Sequence, residues 1–348
     1  MVEIEIGINE AEQRLDRFLR KYLKGAPLSY IYKIIRKDVK VNGARGKNDT
    51  VLALGDRVVL YMKDEEIQKY RPQSVRRSNV KRSFRIAYED ENILAVEKPF
   101  GLLTHGDGQE KKNTLVNQVI DYLIEKGDYV PRIEKSFTPG AVNRLDRNTT
   151  GLVLFGKNSA ALRRLNAMIS DKESVGKYYL TILCGELKDE LHLKGSLVKD
   201  ESKNKVKVSL LEHQEDEYNK KASRVSEEKN SSDEKVKYIE TIARPVVSLN
   251  GYTLAEVRLM TGRSHQIRAH LASAGYPVLG DSKYGIIAEN KKFSKKYGLT
   301  TQFLHAYRLQ FNHASDVLSY LSGREITAGL SGKQREIVED LFGEEYLF

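Results

Sequence analysis

Along the first quarter of the chain, apolar positions recur first at helical and then at alternating spacing. Between Glu10 and Leu23, the residues Leu15, Phe18, Leu19, Tyr22 and Leu23 stand at i, i+3, i+4, i+7 and i+8, which predicts an amphipathic helix. Arg14, Arg17, Arg20, Lys21 and Lys24 fall mainly on its other faces, and Gly25-Ala26-Pro27 ends it. Ser29 suits the N-cap of a second, shorter helix. There Ile31, Ile34 and Ile35 face inward and Lys33, Arg36 and Lys37 face solvent. Val39 and Val41 then alternate with polar residues up to an Asn42-Gly43 turn, and Val58, Leu60 and Met62 alternate after Gly55-Asp56. Residues 64–83 are polar, carry Pro72 and turn basic at Arg76, Arg77, Lys81 and Arg82, so they read as a linker.

From Phe84 the pattern changes. Ile86 and Tyr88, then Ile93, Leu94 and Val96, predict two short strands before Lys98-Pro99 and Gly101. Helices are expected over 113–124 and 159–169, and strands over 151–155 and 177–184. The stretch 212–236 holds eight acids, five bases and few apolar groups, too few to offset its ordering entropy. It reads as a mobile insertion between strands of one domain, or as a charged hairpin. No internal repeat is visible.

Composition narrows the class. The chain has 348 residues, which suggests two domains or three, with 40% hydrophobic residues for a core. It carries one cysteine, Cys184, so neither an internal disulfide nor a cysteine-rich zinc site is expected, and a reducing compartment fits. No apolar run reaches bilayer length. Met1–Asn9 lacks the layout of a signal peptide. The expectation is a soluble, cytoplasmic protein, monomeric and without membrane contact. Its net charge of +10 is uneven. Residues 1–85 hold 20 Lys/Arg against 11 Asp/Glu, whereas the remainder holds 38 against 37. A basic module beside a nearly neutral one is the charge layout of a polyanion-binding domain attached to a second activity, although a lysine-rich solvated surface would give the same count.

Three segments carry candidate chemistry. In "AVNRLDRNTTGLVLF" (141–155), Asp146 lies between Arg144 and Arg147, just before an apolar strand. A carboxylate close to a core is costly unless it is paired or functional, and neighbouring cations favour its ionised form. Such a carboxylate can act as nucleophile or base, or it can be part of a loop-stabilising Arg–Asp network. In "GKYYLTILCG" (176–185), only one of the two tyrosines can point into a given face of the strand. That ring either packs the core or stacks on a base. In "LMTGRSHQIRAHLASAGYPVLGDSKYG" (259–285), Arg263, His265, Gln266 and Arg268 cluster at a helix start, suited to holding a phosphate or a carboxylate. His265 and His270 are five apart, off the spacing of zinc helices, so no metal site is expected.

Two resemblances follow from these residues. "RLDRFLRKYL" (14–23), "SYIYKIIRKDVKVNG" (29–43) and "LALGDRVVL" (52–60) resemble the S4 RNA-binding domain. The likeness implies that residues 1–63 form a module presenting the basic faces of two helices, with Arg14, Arg17, Lys33, Arg36 and Lys37, to structured RNA. Over residues 84–315, "RLDRNTTGLVLF", "KYYLTILCG", "TGRSHQIRAHLASAGYPVLGDSKYG", "LHAYRLQF" (304–311) and "YEDENILAVEKPFGLLTHG" (88–106) resemble the RluA-type pseudouridine synthases, in particular the RluC/RluD branch with its N-terminal S4 domain. The resemblance implies an isomerase converting uridine in RNA to its C-glycoside, with no cofactor and no metal. It implies an α+β fold: a small S4 domain joined to a catalytic domain (84–348) on a mixed, mostly antiparallel sheet, whose centre holds the cleft. It implies Asp146 as nucleophile, Tyr179 stacking on the flipped uracil and available to take a proton late in the reaction, and Arg268 pairing with Asp146. Arg144, Arg147, Arg263, His265 and Gln266 would contact RNA, with Arg144 filling the space the target base leaves. Many members have His where this chain has Asn143, which cannot titrate. Large-subunit ribosomal RNA is the expected substrate, the alternatives being transfer RNA or a non-catalytic RNA-binding or ribosome-assembly factor.

Overall fold

The structure, a computed structural model, describes residues 1–71, 77–200, 205–210 and 236–347. The expected insertion therefore lies outside the described residues except for Val236.

The N-terminal module contains β1 (Val2–Glu5), β2 (Gln13–Arg14), α1 (Leu15–Tyr22), α2 (Leu28–Lys37), β3 (Val39–Val41), β4 (Ala44–Arg45), β5 (Val51–Leu52), β6 (Arg57–Leu60) and α3 (Asp64–Tyr70). A four-stranded sheet in the order β1-β6-β3-β4 and the pair β2-β5 pack against the helices. Leu15, Phe18, Leu19 and Leu23 meet Ile31, Ile34 and Ile35 in one core. The apolar spacing of both helices thus faces where the periodicity put it. Three expectations are corrected. The first helix begins at Leu15, not Glu10, because Gln13 and Arg14 pair with Leu52 and Val51 as a strand. Ser29 is not a cap: α2 starts one residue earlier, after the extended Pro27, and no side chain caps it. The segment 64–83 is not a plain linker. Its first part is α3, which buries Ile67 in the module core. Its last part is bonded to the next domain, where the Ser78 and Ser83 amides donate to Asp121 and Gln118.

The larger domain contains β7 (Arg85–Glu89), β8 (Ile93–Lys98), α4 (Leu115–Lys126), β9 (Gly140–Ala141), β10 (Thr150–Gly156), α5 (Ser159–Ser170), β11 (Val175–Cys184), β12 (Leu191–Asp200), β13 (Lys205–Leu210), β14 (Lys237–Leu249), β15 (Tyr252–Leu259), α6 (Gln266–Ser273), α7 (Ile287–Tyr297), β16 (Leu304–Phe311), β17 (Glu325–Thr327) and α8 (Lys333–Phe342). Its sheet runs β13-β12-β14-β15-β11-β16-β10-β8-β7, with β17 on β16 and β9 on β10. Every pairing is antiparallel except β10 with β16, where Thr150 faces His305 and Gly151 faces Ala306. This is the mixed, mostly antiparallel sheet that the resemblance implied.

Both faces of the sheet centre are covered, so the central strands read as unbroken apolar runs. Val153 and Phe155 point into a core with α4 and α6, whereas Leu152 and Leu154 point into one with α5. Tyr179 and Leu183 share the first core, and Leu180 and Ile182 the opposite face.

The two domains are tied along a seam. Asn9 donates to the Glu134 carboxylate at 2.8 Å and accepts from the Ser159 amide at 2.9 Å. Arg163 pairs with Glu12 at 2.7 Å, and Lys135 donates to the Glu5 carbonyl at 2.6 Å.

Candidate active site

Three adjacent strands bring the site together. Gly151 of β10, Ala306 of β16 and Tyr179 of β11 lie in one register row. The loop just ahead of β10, which carries Asp146, therefore opens at the level of Tyr179. Gly151 has φ +107, and a Cβ there would overlap the Ala306 carbonyl. Only glycine lets the chain turn from the loop into its parallel neighbour.

The loop is held from beneath. The Thr104 hydroxyl donates to the Leu145 carbonyl at 3.0 Å, and the Thr149 amide closes a turn on the Asp146 carbonyl. Lys98, 1% exposed, donates from Nζ to the carbonyls of Pro99, Leu102 and Arg147 at 3.0, 2.8 and 2.9 Å. Burial lowers its ammonium to about 7, and the Asp146 charge pulls the other way. Asn143 accepts from the Leu154 amide and donates to the Leu152 carbonyl, so its amide serves β10.

Arg268 is the centre of the charge arrangement. It is 5% exposed, on the first turn of α6, and Asp281 is fully buried beside it. The Nε and Nη2 groups donate to the two Asp281 oxygens at 2.5 and 2.8 Å, a bidentate fork. Nη1 lies 3.5 Å from Asp146 Oδ2, and the Asp146 side chain is 31% exposed. One guanidinium thus joins a buried carboxylate that fixes it to a half-open one that faces the cleft. Asp281 also accepts from the Lys283 and Tyr284 amides, and the Tyr284 ring lies 5.4 Å from the guanidinium. Hydrogen bonds and the guanidinium charge outweigh burial and hold the Asp281 carboxyl low.

The other groups about Asp146 are tuned by the same environment. Burial, with a smaller contribution from Asp146, pushes the Tyr179 phenol far up, so it stays protonated. Burial lowers the His265 imidazole and the Lys283 ammonium, with Asp146 acting in the opposite sense on both. A buried, anchored cation beside a half-exposed carboxylate, with a neutral phenol on the floor, can present an ionised nucleophile to a ring entering from solvent.

The predicted residues separate into groups. Asp146, Tyr179, Arg268 and His265 are brought together; His265 sits at positive φ, with Nδ1 3.2 Å from the Tyr284 hydroxyl. Arg144 and Arg263 are exposed at the rim, as is Arg147, which pairs with Asp107 at 3.3 Å. Gln266 is corrected: it is 2% exposed, and its amide is occupied by Thr261, the Arg263 amide, the Glu240 carbonyl and Thr241. Those hydrogen bonds shape the loop. Arg14, Arg17, Lys33, Arg36 and Lys37 lie on the N-terminal module, where Arg14 forms a fork with Asp16. Sequence reasoning missed Asp281, Lys98 and Tyr284. The signal for Asp281 was an acid directly after the apolar pair Val278-Leu279 and Gly280, where only a paired carboxylate is tolerable.

Residues 92–273 match the RNA pseudouridylate synthase family, and the chain belongs to that family of RNA isomerases. Among its relatives, the ribosomal large subunit pseudouridine synthase C of Vibrio vulnificus is 30% identical, over 97% of this chain and 96% of that one. The protein of the same name from Escherichia coli K12 is 32% identical over 89% and 88%. Human RNA pseudouridylate synthase domain containing 4 superposes with a TM-score of 0.52 at 19% identity, covering 76% of this chain and 93% of that one. Among the described residues, no helix is long and apolar enough to cross a membrane.

Proposed function

We propose that this chain isomerises specific uridines in large-subunit ribosomal RNA, with Asp146 as nucleophile. The observation that carries the reading is the Asp281–Arg268–Asp146 relay of charge, one carboxylate buried and one open. The substrate assignment is supported by the names of the relatives matched over nearly their whole length.

The reaction breaks the bond from N1 to ribose C1′ and forms one from C5 to C1′. C5 loses a proton and N1 gains one, so no atom enters or leaves. Asp146 adds to the substrate while its ion pair with Arg268 stabilises the carboxylate that is regenerated at the end. Tyr179, on the cleft floor, suits stacking against the extruded uracil. Its phenol stays protonated, so it takes the C5 proton only by passing its own on. Arg144 is exposed two residues before Asp146 and suits the gap left in the RNA stack. Turnover unchanged in Arg144→Ala would remove that role. Residues 1–71, with Lys33, Arg36 and Lys37 exposed, suit an S4-type module that adds salt-dependent affinity through phosphates.

The test maps pseudouridines in ribosomal RNA of cells lacking this protein, by chemical adducts and reverse-transcription stops. Specific stops should vanish and return with the intact chain but not with Asp146→Ala. An unchanged ribosomal map overturns the substrate assignment, and changed stops in transfer RNA would relocate it.

A further inference from the structure

The N-terminal module does more than offer an outward basic face. Between it and the catalytic domain lies a cleft of about 870 Å³. Arg17, Arg20, Lys21 and Lys24 of the module line one side, and Arg132 and Lys135 of the catalytic domain line the other. Arg71 closes one end, stacked 4.7 Å over the Tyr22 ring. Among the described residues, the lining holds one carboxylate, Glu134, which accepts from Asn9. Burial holds that carboxyl above its usual range, which weakens its countercharge. None of the cations named here forms an ion pair among the described residues. The module's acids are directed elsewhere: Glu12 to Arg163, and Glu10 to the Lys135 and Ser136 amides. Burial first, and then the charges of Arg163 and Arg17, lower the Lys21 ammonium against the opposing pull of Glu10.

We propose that this seam is a composite groove for the sugar–phosphate backbone of an RNA segment, completed only when the two domains dock. The inference rests on the RNA reading above and adds a second contact site away from the Asp146 loop. The chemistry of the walls favours backbone over bases. Arg17 and Arg20 on one side and Arg132 on the other are exposed, whereas Tyr22, Tyr129 and Phe137 are 3, 3 and 7% exposed and offer no free ring to stack on. The groove therefore grips without reading sequence and orients the RNA for the cleft. It assigns RNA contacts to Arg132 and Lys135, residues of the catalytic domain.

The test uses the full chain and a fragment of large-subunit ribosomal RNA, with binding measured against salt concentration. Arg20→Ala and Arg132→Ala, one from each wall, should each lower the slope of log affinity against log salt by about 0.7 to 0.9. Asn9→Ala alters no charge but loosens the seam, and it should lower the slope as well. Lys295→Ala, on the exposed side of α7, should leave it unchanged. All four positions are polar and at or near the surface, and equal melting temperatures would show intact folds. A slope unaffected by Arg132→Ala overturns the composite groove. A wild-type chain with no salt-dependent RNA affinity overturns the RNA reading itself. Competition by polyglutamate equal to that by RNA of matched charge would overturn the assignment of RNA as occupant.

Discussion

Asp281 and Asp146 touch the same guanidinium, yet their burial differs, and their substitutions should separate stability from chemistry. Asp281→Ala strands a buried Arg268 charge and should cost about 3–5 kcal/mol in denaturant unfolding, with turnover falling too. Asp146→Asn, at a half-open position, should leave the unfolding midpoint nearly unchanged while abolishing turnover. Equal losses of stability would contradict the division of labour. His270 gives a second residue-scale prediction. It is fully buried on α6, with Nδ1 3.0 Å from the Thr241 hydroxyl, and burial lowers it to about 4. The unfolded chain therefore binds a proton that the folded chain refuses over roughly pH 4 to 6.5. Stability should fall as pH drops through that window, and His270→Gln should flatten this part of the profile in pH-dependent melts. An acid between two arginines and an aromatic opening a strand stood out locally, but the roles assigned to them followed only from the family likeness. Asp281 left only the weak mark of an acid after Val278-Leu279-Gly280, and Lys98 left none, because its partners are main-chain carbonyls.

At the scale of elements, Asn143 holds β10 by two backbone groups nine and eleven residues on. Asn143→Leu removes both partners at once, each loss worth about 1–3 kcal/mol if the freed group stays dry. Hydrogen exchange at the Leu154 amide should accelerate, and exchange at wild-type rates would show that water replaces the side chain. Long amphipathic elements were readable for a physical reason: α1, α2, α4 and α5 each bury one stripe, and periodicity records a buried stripe. Short elements specified by partners were not. The pair β2–β5 turned the front of a helical pattern into a strand, and α3 is anchored by only Ile67 and Tyr70 within an otherwise polar stretch.

For the whole molecule, the domain border belongs after α3 and not before it. A chain beginning at Asp64 would carry α3 without the core that covers Ile67, whereas one beginning at Arg77 would not. The longer truncation product should scatter more light and melt less cooperatively than the shorter one. The mixed sheet was anticipated through family likeness; the register that makes it work was not. β16, near the end of the chain, fills the gap between β10 and β11. Translated into the order of synthesis, this means that the halves of the central sheet share no ladder until about residue 311 has left the ribosome. A ribosome still making this protein holds a chain whose Asp146 loop has no parallel neighbour to lean on. Closing a contact over some 155 residues is slow, because loop entropy precedes any reward. Completion of the cleft therefore waits on β16, and a truncated product lacking β16 should be inert toward RNA.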